Sequence, residues 1–121
     1  MLRELSSLKV WQRAVELSVQ LYEISRRWPQ NEQYGLTSQI RRAAVSVASN
    51  IAEGYGRGTP GDQGRFMRIA RGSLYEVHTQ LTLAIRLNYL SEHEFNVLSR
   101  QVSQIQRMLD GYIHFIASHR A

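Results

Sequence analysis

Arginine is the residue type whose number and spacing in this sequence point to a chemistry. The stretch from position 41 to position 71 contains two acidic residues and six arginines: Arg41, Arg42, Arg57, Arg65, Arg68 and Arg71. Most of the formal net charge of +5 therefore lies in about a quarter of the chain. A guanidinium group donates forked hydrogen bonds to phosphate, and phosphate neutralisation drives most non-specific nucleic-acid binding. These six arginines are our candidate nucleic-acid-binding residues.

A second interpretation of the same arginines is a solvated face or a set of salt bridges between subunits. The nearby acids Glu53, Asp62 and Glu76 are too few to neutralise all six arginines, even if each forms one pair. We expect Asn50 and Glu53 to belong to a structural polar network at the end of a helix, with Arg71 as the partner of Glu53. The sequence leaves both interpretations of the arginines open.

The other polar residues form no catalytic or metal-binding pattern. Asn50 and Glu53 lack a nucleophile with an adjacent base. Glu76 and His78 are two residues apart, whereas helical bundles bind metals through inward-facing Glu-x-x-His pairs. We therefore expect no enzymatic activity, no cofactor and no metal.

The composition is that of an ordinary globular protein. With 121 residues, 43% of them hydrophobic and 21% charged, the chain can bury a core, and we expect one domain over residues 1–121. Cysteine is absent, which excludes disulfides and thiolate metal sites and favours a cytoplasmic location. No stretch approaches the roughly 20 apolar residues that a membrane span needs, so we expect no membrane association.

Apolar residues recur at spacings of three and four, which predicts helices rather than strands. Proline, glycine and capping signals divide the chain into four predicted helices. Their bounds are about Leu8 to Trp28, Leu36 to Tyr55, Pro60 to Leu87, and from Ser91 towards the C-terminus. Four long helices with short links predict an all-α fold, an antiparallel up-down-up-down four-helix bundle.

Two helices carry features that a single core does not explain. The first helix has an apolar arc about twice as wide as the ~100° stripe that faces one core, which indicates a second buried contact such as another subunit. In the third helix, Gly72 costs about 1 kcal/mol relative to alanine. We expect a close backbone approach at Gly72 to account for it.

Two motifs, separated by a short interval, resemble those of a bacterial protein family. They are Gln-Ile-Arg-Arg-Ala-Ala-Val-Ser-Val-Ala-Ser-Asn-Ile-Ala-Glu-Gly at positions 39–54 and Ile-Ala-Arg-Gly-Ser-Leu-Tyr-Glu at positions 69–76. Further matches lie at positions 8–11 and 87–90. The chain is similar in these respects to the S23 ribosomal protein family, also called the rRNA intervening-sequence protein family.

The resemblance implies a small basic four-helix bundle that assembles as a homopentamer. Some members of that family are encoded inside insertions in large-subunit rRNA genes. A relative, the accessory variability protein of diversity-generating retroelements, is associated with nucleic acid and a reverse transcriptase. We therefore expect a non-enzymatic accessory protein that binds RNA or DNA with low specificity; the alternative is a structural adaptor that docks a protein partner such as a polymerase.

Overall fold

The computed structural model describes residues 2–119, and within them the chain is all-helical with no strand. Five α-helices follow in order, with one 3-10 turn at Gln30–Glu32: α1 Leu2–Ser6, α2 Lys9–Ser25, α3 Leu36–Tyr55, α4 Pro60–Arg86 and α5 Glu92–Ser118. The long helices α2 to α5 are the four predicted from the sequence. The short helix α1 was not predicted.

Local signals explain where the long helices begin and end. The Thr59 hydroxyl accepts a hydrogen bond of 3.3 Å from the backbone N–H of Asp62, which caps α4, and Ser91 and Glu94 form a reciprocal capping box on α5. The end of α2 lies three residues before the predicted position. There the backbone N–H of Trp28 bonds to the carbonyl of Ser25, an i→i−3 bond that tightens the chain into a turn.

The link between α4 and α5 is a Schellman turn. Asn88 has a positive φ of 64°, a conformation that asparagine tolerates better than most residues. The backbone N–H of Tyr89 donates to the carbonyl of Ala84 at 2.8 Å, and that of Asn88 donates to Ile85 at 3.0 Å. This pattern satisfies the last carbonyls of α4 and turns the chain towards α5.

One hydrophobic core joins the four long helices. Helix α4 packs against α3 and α5, and α2 packs against the same two helices. Each long helix contributes fully buried side chains, among them Leu17, Ile40, Leu74 and Leu109. No helix within residues 2–119 is long and apolar enough to cross a membrane.

The glycine that α3 and α4 pack tightly around is Gly54 and not Gly72. A Cβ atom on Gly54 would lie 2.9 Å from the Cβ of Phe66 and 3.1 Å from both the Gln63 carbonyl oxygen and the Met67 Cε. A Cβ atom on Gly72 would meet nothing within 4 Å among the described residues. The expectation of a close backbone contact at Gly72 is therefore wrong within residues 2–119, because that position faces away from the packed helices.

The start of α3 is held to the α4–α5 link by Glu32. The backbone N–H of Leu36 donates to Glu32 Oε1 at 3.1 Å, and the Tyr89 hydroxyl donates to Glu32 Oε2 at 2.8 Å. The Leu36 N–H lowers the pKa of Glu32 most, and the Tyr89 hydroxyl lowers it further, because both donors stabilise the charged form of the carboxyl group. The Tyr89 ring also packs on Trp28, with 5.8 Å between ring centroids.

Candidate nucleic-acid interface

The six candidate arginines differ in their contacts within the fold. Arg41 is half-buried and turns towards α2, where its Nε donates to the Ser25 hydroxyl at 2.9 Å and its Nη2 donates to the Tyr22 carbonyl at 3.2 Å. Its guanidinium also lies 4.7 Å from the centroid of the Tyr22 ring. Arg41 therefore ties α3 to α2 through two of its three nitrogens.

Arg71 also makes a contact within the fold. Its Nη1 donates to Asp110 Oδ1 at 2.9 Å, so it links α4 to α5. The expected pairing of Arg71 with Glu53 is wrong in this structure, where Glu53 pairs with Arg57 one helical turn further on. The reason is that α5 covers the side of α4 that carries Arg71, whereas Glu53 lies near the end of α3.

Asn50 joins a polar contact between α3 and α4. Its amide nitrogen donates to the carbonyl oxygen and the hydroxyl of Ser46, at 2.8 and 3.0 Å. The hydroxyls of Ser46 and Ser73 share a hydrogen bond of 2.9 Å. Asn50 and Glu53, which the sequence analysis placed in one network, thus have different partners among residues 2–119.

Arg57 and Arg65 both contact one aromatic ring, that of Phe66. Their guanidinium carbons are 4.7 and 4.5 Å from the centroid of Phe66. Arg57 pairs with Glu53, and Arg65 Nε lies 4.0 Å from Asp62 Oδ1. Both ion pairs are exposed, and such pairs contribute about 0–1 kcal/mol, so a phosphate group can compete for either arginine.

Arg42 and Arg68 are the least engaged of the six. Arg42 is exposed, and its one hydrogen bond to another described residue is a 3.3 Å contact with the Ser38 hydroxyl. Arg68 is exposed and has neither an ion pair nor a hydrogen bond within residues 2–119; its guanidinium lies against Gly64. These two arginines provide positive charge that no acidic side chain of the described chain neutralises.

Two surface grooves of different chemistry border α3. The groove on the α2 side has a volume of about 370 Å³ and a mainly apolar lining that includes Val15, Val19, Tyr22, Val45 and Ala48. Val19 is 51% exposed although it is apolar. The groove on the α4 side has a volume of about 240 Å³ and a polar lining that includes Gln39, Arg42, Ser46, Ser73, Glu76 and Gln80. We call these the apolar groove and the polar groove.

Gln80 is the unusual residue of the polar groove. It is only 7% exposed, and its Oε1 atom is buried without a hydrogen-bond partner among the described residues. A buried acceptor without a donor costs about 1–3 kcal/mol. The sequence analysis missed Gln80, because a single glutamine within an amphipathic helix carries no signal that separates it from a surface residue.

No group of three or more metal-ligating side chains occurs in the part of the chain that the structure describes. All of the described histidines, His78, His93, His114 and His119, are exposed. The described surface around α3 and α4 therefore offers positive charge, hydroxyls and aromatic rings such as those of Phe66 and Tyr75 as its recognition chemistry.

The sequence model of the 23S rRNA-intervening sequence protein family matches residues 6–111. This chain belongs to that family. The fold is similar to that of a Bacteroides thetaiotaomicron VPI-5482 protein of unknown function that belongs to the S23 ribosomal protein family. The TM-score is 0.80 and the sequence identity is 21%. The alignment covers 87% of this chain and 95% of the other. No curated protein matches the sequence significantly.

Proposed function

We propose that this member of the 23S rRNA-intervening sequence protein family is a non-enzymatic accessory protein that binds RNA or DNA with low sequence specificity. The observation that carries the proposal is the free positive charge on Arg42 and Arg68, together with the weakly paired Arg57 and Arg65. Exposed arginines on rigid helices attract polyanions and release counterions when they bind them.

The proposed binding face runs along α3 and α4. Arg42 is near one end of this face, and Arg57 and Arg65 contact Phe66 near the other. Arg42 is thirteen residues from the end of α3 at Tyr55, which corresponds to about 20 Å at a helical rise of 1.5 Å per residue. This span suits several consecutive phosphates of one strand.

We further propose that the four long helices form an antiparallel bundle and that several copies associate in the cytoplasm, with a pentamer as the expected assembly. The exposed Val19 and Tyr22 in the apolar groove support association, because exposed apolar side chains that cluster in a groove are typical of protein contacts. Each copy would add one basic face, and several weak phosphate-binding faces in one rigid body bind a long polyanion with avidity.

The test is the salt dependence of binding. Fluorescence anisotropy with labelled single-stranded RNA measures the slope of log K against log salt concentration for the wild type and for the triple variant Arg42→Gln, Arg65→Gln, Arg68→Gln. We expect a slope smaller in magnitude by about 2, since each lost phosphate contact removes roughly 0.7 for a single strand.

A matched control removes the same charge elsewhere, by changing Arg13, Arg100 and Arg107 to Gln; all three are exposed and lie on α2 and α5, outside the proposed face. The proposal requires the control to keep a steeper slope than the first triple variant. Equal slopes for the two folded variants would show that only net charge matters and would remove Arg42, Arg65 and Arg68 from the site.

The apolar groove also supports a second candidate function, that of a structural adaptor that docks another protein such as a polymerase. Capture of partners from host extract, with and without nuclease, separates the two functions. A protein that stays bound after nuclease treatment, and is lost from a Val19→Asp variant, would support the adaptor.

A further inference from the structure

A third groove lies at the start of α3, beside the link that follows α2. Its volume of about 500 Å³ falls within the ~300–1,000 Å³ of ligand pockets. Two arginines, two tyrosines and a serine are among its lining residues: Tyr22, Tyr34, Ser38, Arg41 and Arg42. No acidic side chain lines it in the part of the chain that the structure describes. The third groove therefore combines aromatic surface with a local excess of positive charge.

The two arginines of the third groove retain hydrogen-bond donors for an anion. Arg41 uses its Nε and Nη2 atoms in bonds to α2, which leaves its Nη1 atom without a partner among residues 2–119. Arg42 donates only to the Ser38 hydroxyl within the described chain. Two acids adjoin the lining residues in sequence, but Glu32 is engaged in the hydrogen bonds that hold the start of α3, and Glu23 lines the apolar groove. A phosphate in the third groove would therefore meet charged donors, which form the stronger class of hydrogen bond.

Tyr34 carries an aromatic ring that the fold does not use. It is 90% exposed, more than any other tyrosine, tryptophan or phenylalanine of the described chain. Its ring packs on no other ring, and its hydroxyl forms no hydrogen bond to residues 2–119. The Tyr89 ring, by contrast, packs on Trp28, and its hydroxyl donates to Glu32. The face of the Tyr34 ring is thus available to a flat group, and every nucleic-acid base has such a face.

We infer that the third groove holds one unpaired nucleotide of a bound strand, with its base on the Tyr34 ring and its phosphate on Arg41 and Arg42. The inference rests on the proposed function and adds to it a preference for unpaired over duplex nucleic acid. In a duplex the faces of the bases are covered by their neighbours, so Tyr34 can stack only on a base that has left the stack. Stacking needs no particular base, which agrees with low sequence specificity.

A short oligothymidylate and an abasic oligomer of equal length are matched probes, because they carry the same phosphates and differ only in the bases. Fluorescence anisotropy at one salt concentration should show that the wild type binds oligothymidylate about fivefold more tightly, the low end of what stacking on one aromatic side chain contributes. Tyr34→Ser should bring this ratio close to one, whereas Tyr34→Phe keeps the ring and should keep the ratio. Arg42→Gln should weaken the binding of both probes by a similar factor.

Folding should survive the change to serine, because the Tyr34 side chain is almost fully exposed, and urea denaturation checks this. Equal binding of the two probes by the wild type, or a ratio that Tyr34→Ser retains, would overturn the nucleotide site while phosphate binding through the arginines stands. A lower molar mass of Tyr34→Ser in light scattering would assign Tyr34 to a contact between copies and would also overturn the nucleotide site. Failure to bind either probe at low salt would overturn both this site and the proposed function.

Discussion

Two glycine-to-alanine substitutions should shift stability in opposite directions. Gly54 and Gly72 both lie in long helices, and at both positions alanine improves helix propensity. The surroundings differ, because a Cβ atom at Gly54 would meet Phe66, Gln63 and Met67, whereas one at Gly72 would meet nothing within 4 Å. The pair thus separates the effect of packing from that of propensity.

The magnitudes follow from the contacts. Gly72→Ala should stabilise the protein by about 0.8–1 kcal/mol, the propensity difference in a helix interior. At Gly54 the added Cβ would lie 2.9 to 3.1 Å from its neighbours, and one of these is the Gln63 carbonyl oxygen, which belongs to the backbone of α4. Overpacking of this kind costs about 1–3 kcal/mol. After the smaller propensity gain near a helix end, we expect a net loss of about 1–2 kcal/mol for Gly54→Ala.

Urea denaturation followed by circular dichroism measures both variants against the wild type. The midpoints should move in opposite directions with the m-value unchanged, and the melting temperatures should differ by roughly 8–12 °C for a chain of this size. A Gly54→Ala variant as stable as the wild type would show that α4 moves aside at little cost. If Gly72→Ala instead lowered the stability, and the loss grew with protein concentration, another copy would have to pack on this position. That result would refute the conclusion that the space around Gly72 is open.

Three further changes test other contacts. Ser91→Ala removes the cap of α5 and should lower the free energy of unfolding by about 1 kcal/mol, measured by urea denaturation. The pKa of Glu32 is lower in the folded than in the unfolded state, so its contribution to stability is present above the unfolded-state pKa and is lost as the pH falls through the folded-state pKa. The urea midpoint of the Glu32→Gln variant should therefore decline less than that of the wild type as the pH is lowered over this acidic range. An equal decline in the two proteins would refute the role of the Leu36 and Tyr89 donors. A double-mutant cycle of Arg71→Ala and Asp110→Ala should give a coupling of less than about 1 kcal/mol, because both side chains are partly exposed, and a value several times larger would contradict this.

Much of the helical architecture could be predicted from the sequence because its signals are local. Pro60 with Thr59, and Ser91 with Glu94, mark helix starts whose capping bonds occur in the structure. The end of α2 could be placed only within three residues, since a helix and a tightened i→i−3 turn share the same side-chain pattern until the chain changes direction. The five residues of α1 are too few to show a helical period.

The composition of the candidate site was predictable, but the partners of its residues were not. Six arginines could be named from local charge, whereas the pairing of Arg71 depends on Asp110, which lies 39 residues away on another helix. The close contact was expected at Gly72 but occurs at Gly54. Helix propensity shows that a glycine destabilises a helix, but it does not show whether a neighbouring helix packs against that glycine. Gln80 became visible only when its buried oxygen was found without a donor.

Arg41 and Arg42 show why the two grooves can act at the same time. Successive helical residues are about 100° apart, so Arg41 turns towards α2 and bonds to Ser25 and Tyr22, while Arg42 lines the polar groove on the α4 side. Association through the apolar groove would cover the α2 side of α3 and leave the polar groove open, while Arg42 also lines the third groove with Tyr22 and Val45 at the edge of the covered side. Because the copies of a closed ring are related by rotation, the basic face of each would recur at regular intervals around the assembly. A long strand could then contact several faces in turn, and we expect the affinity to rise with strand length until the strand spans the ring.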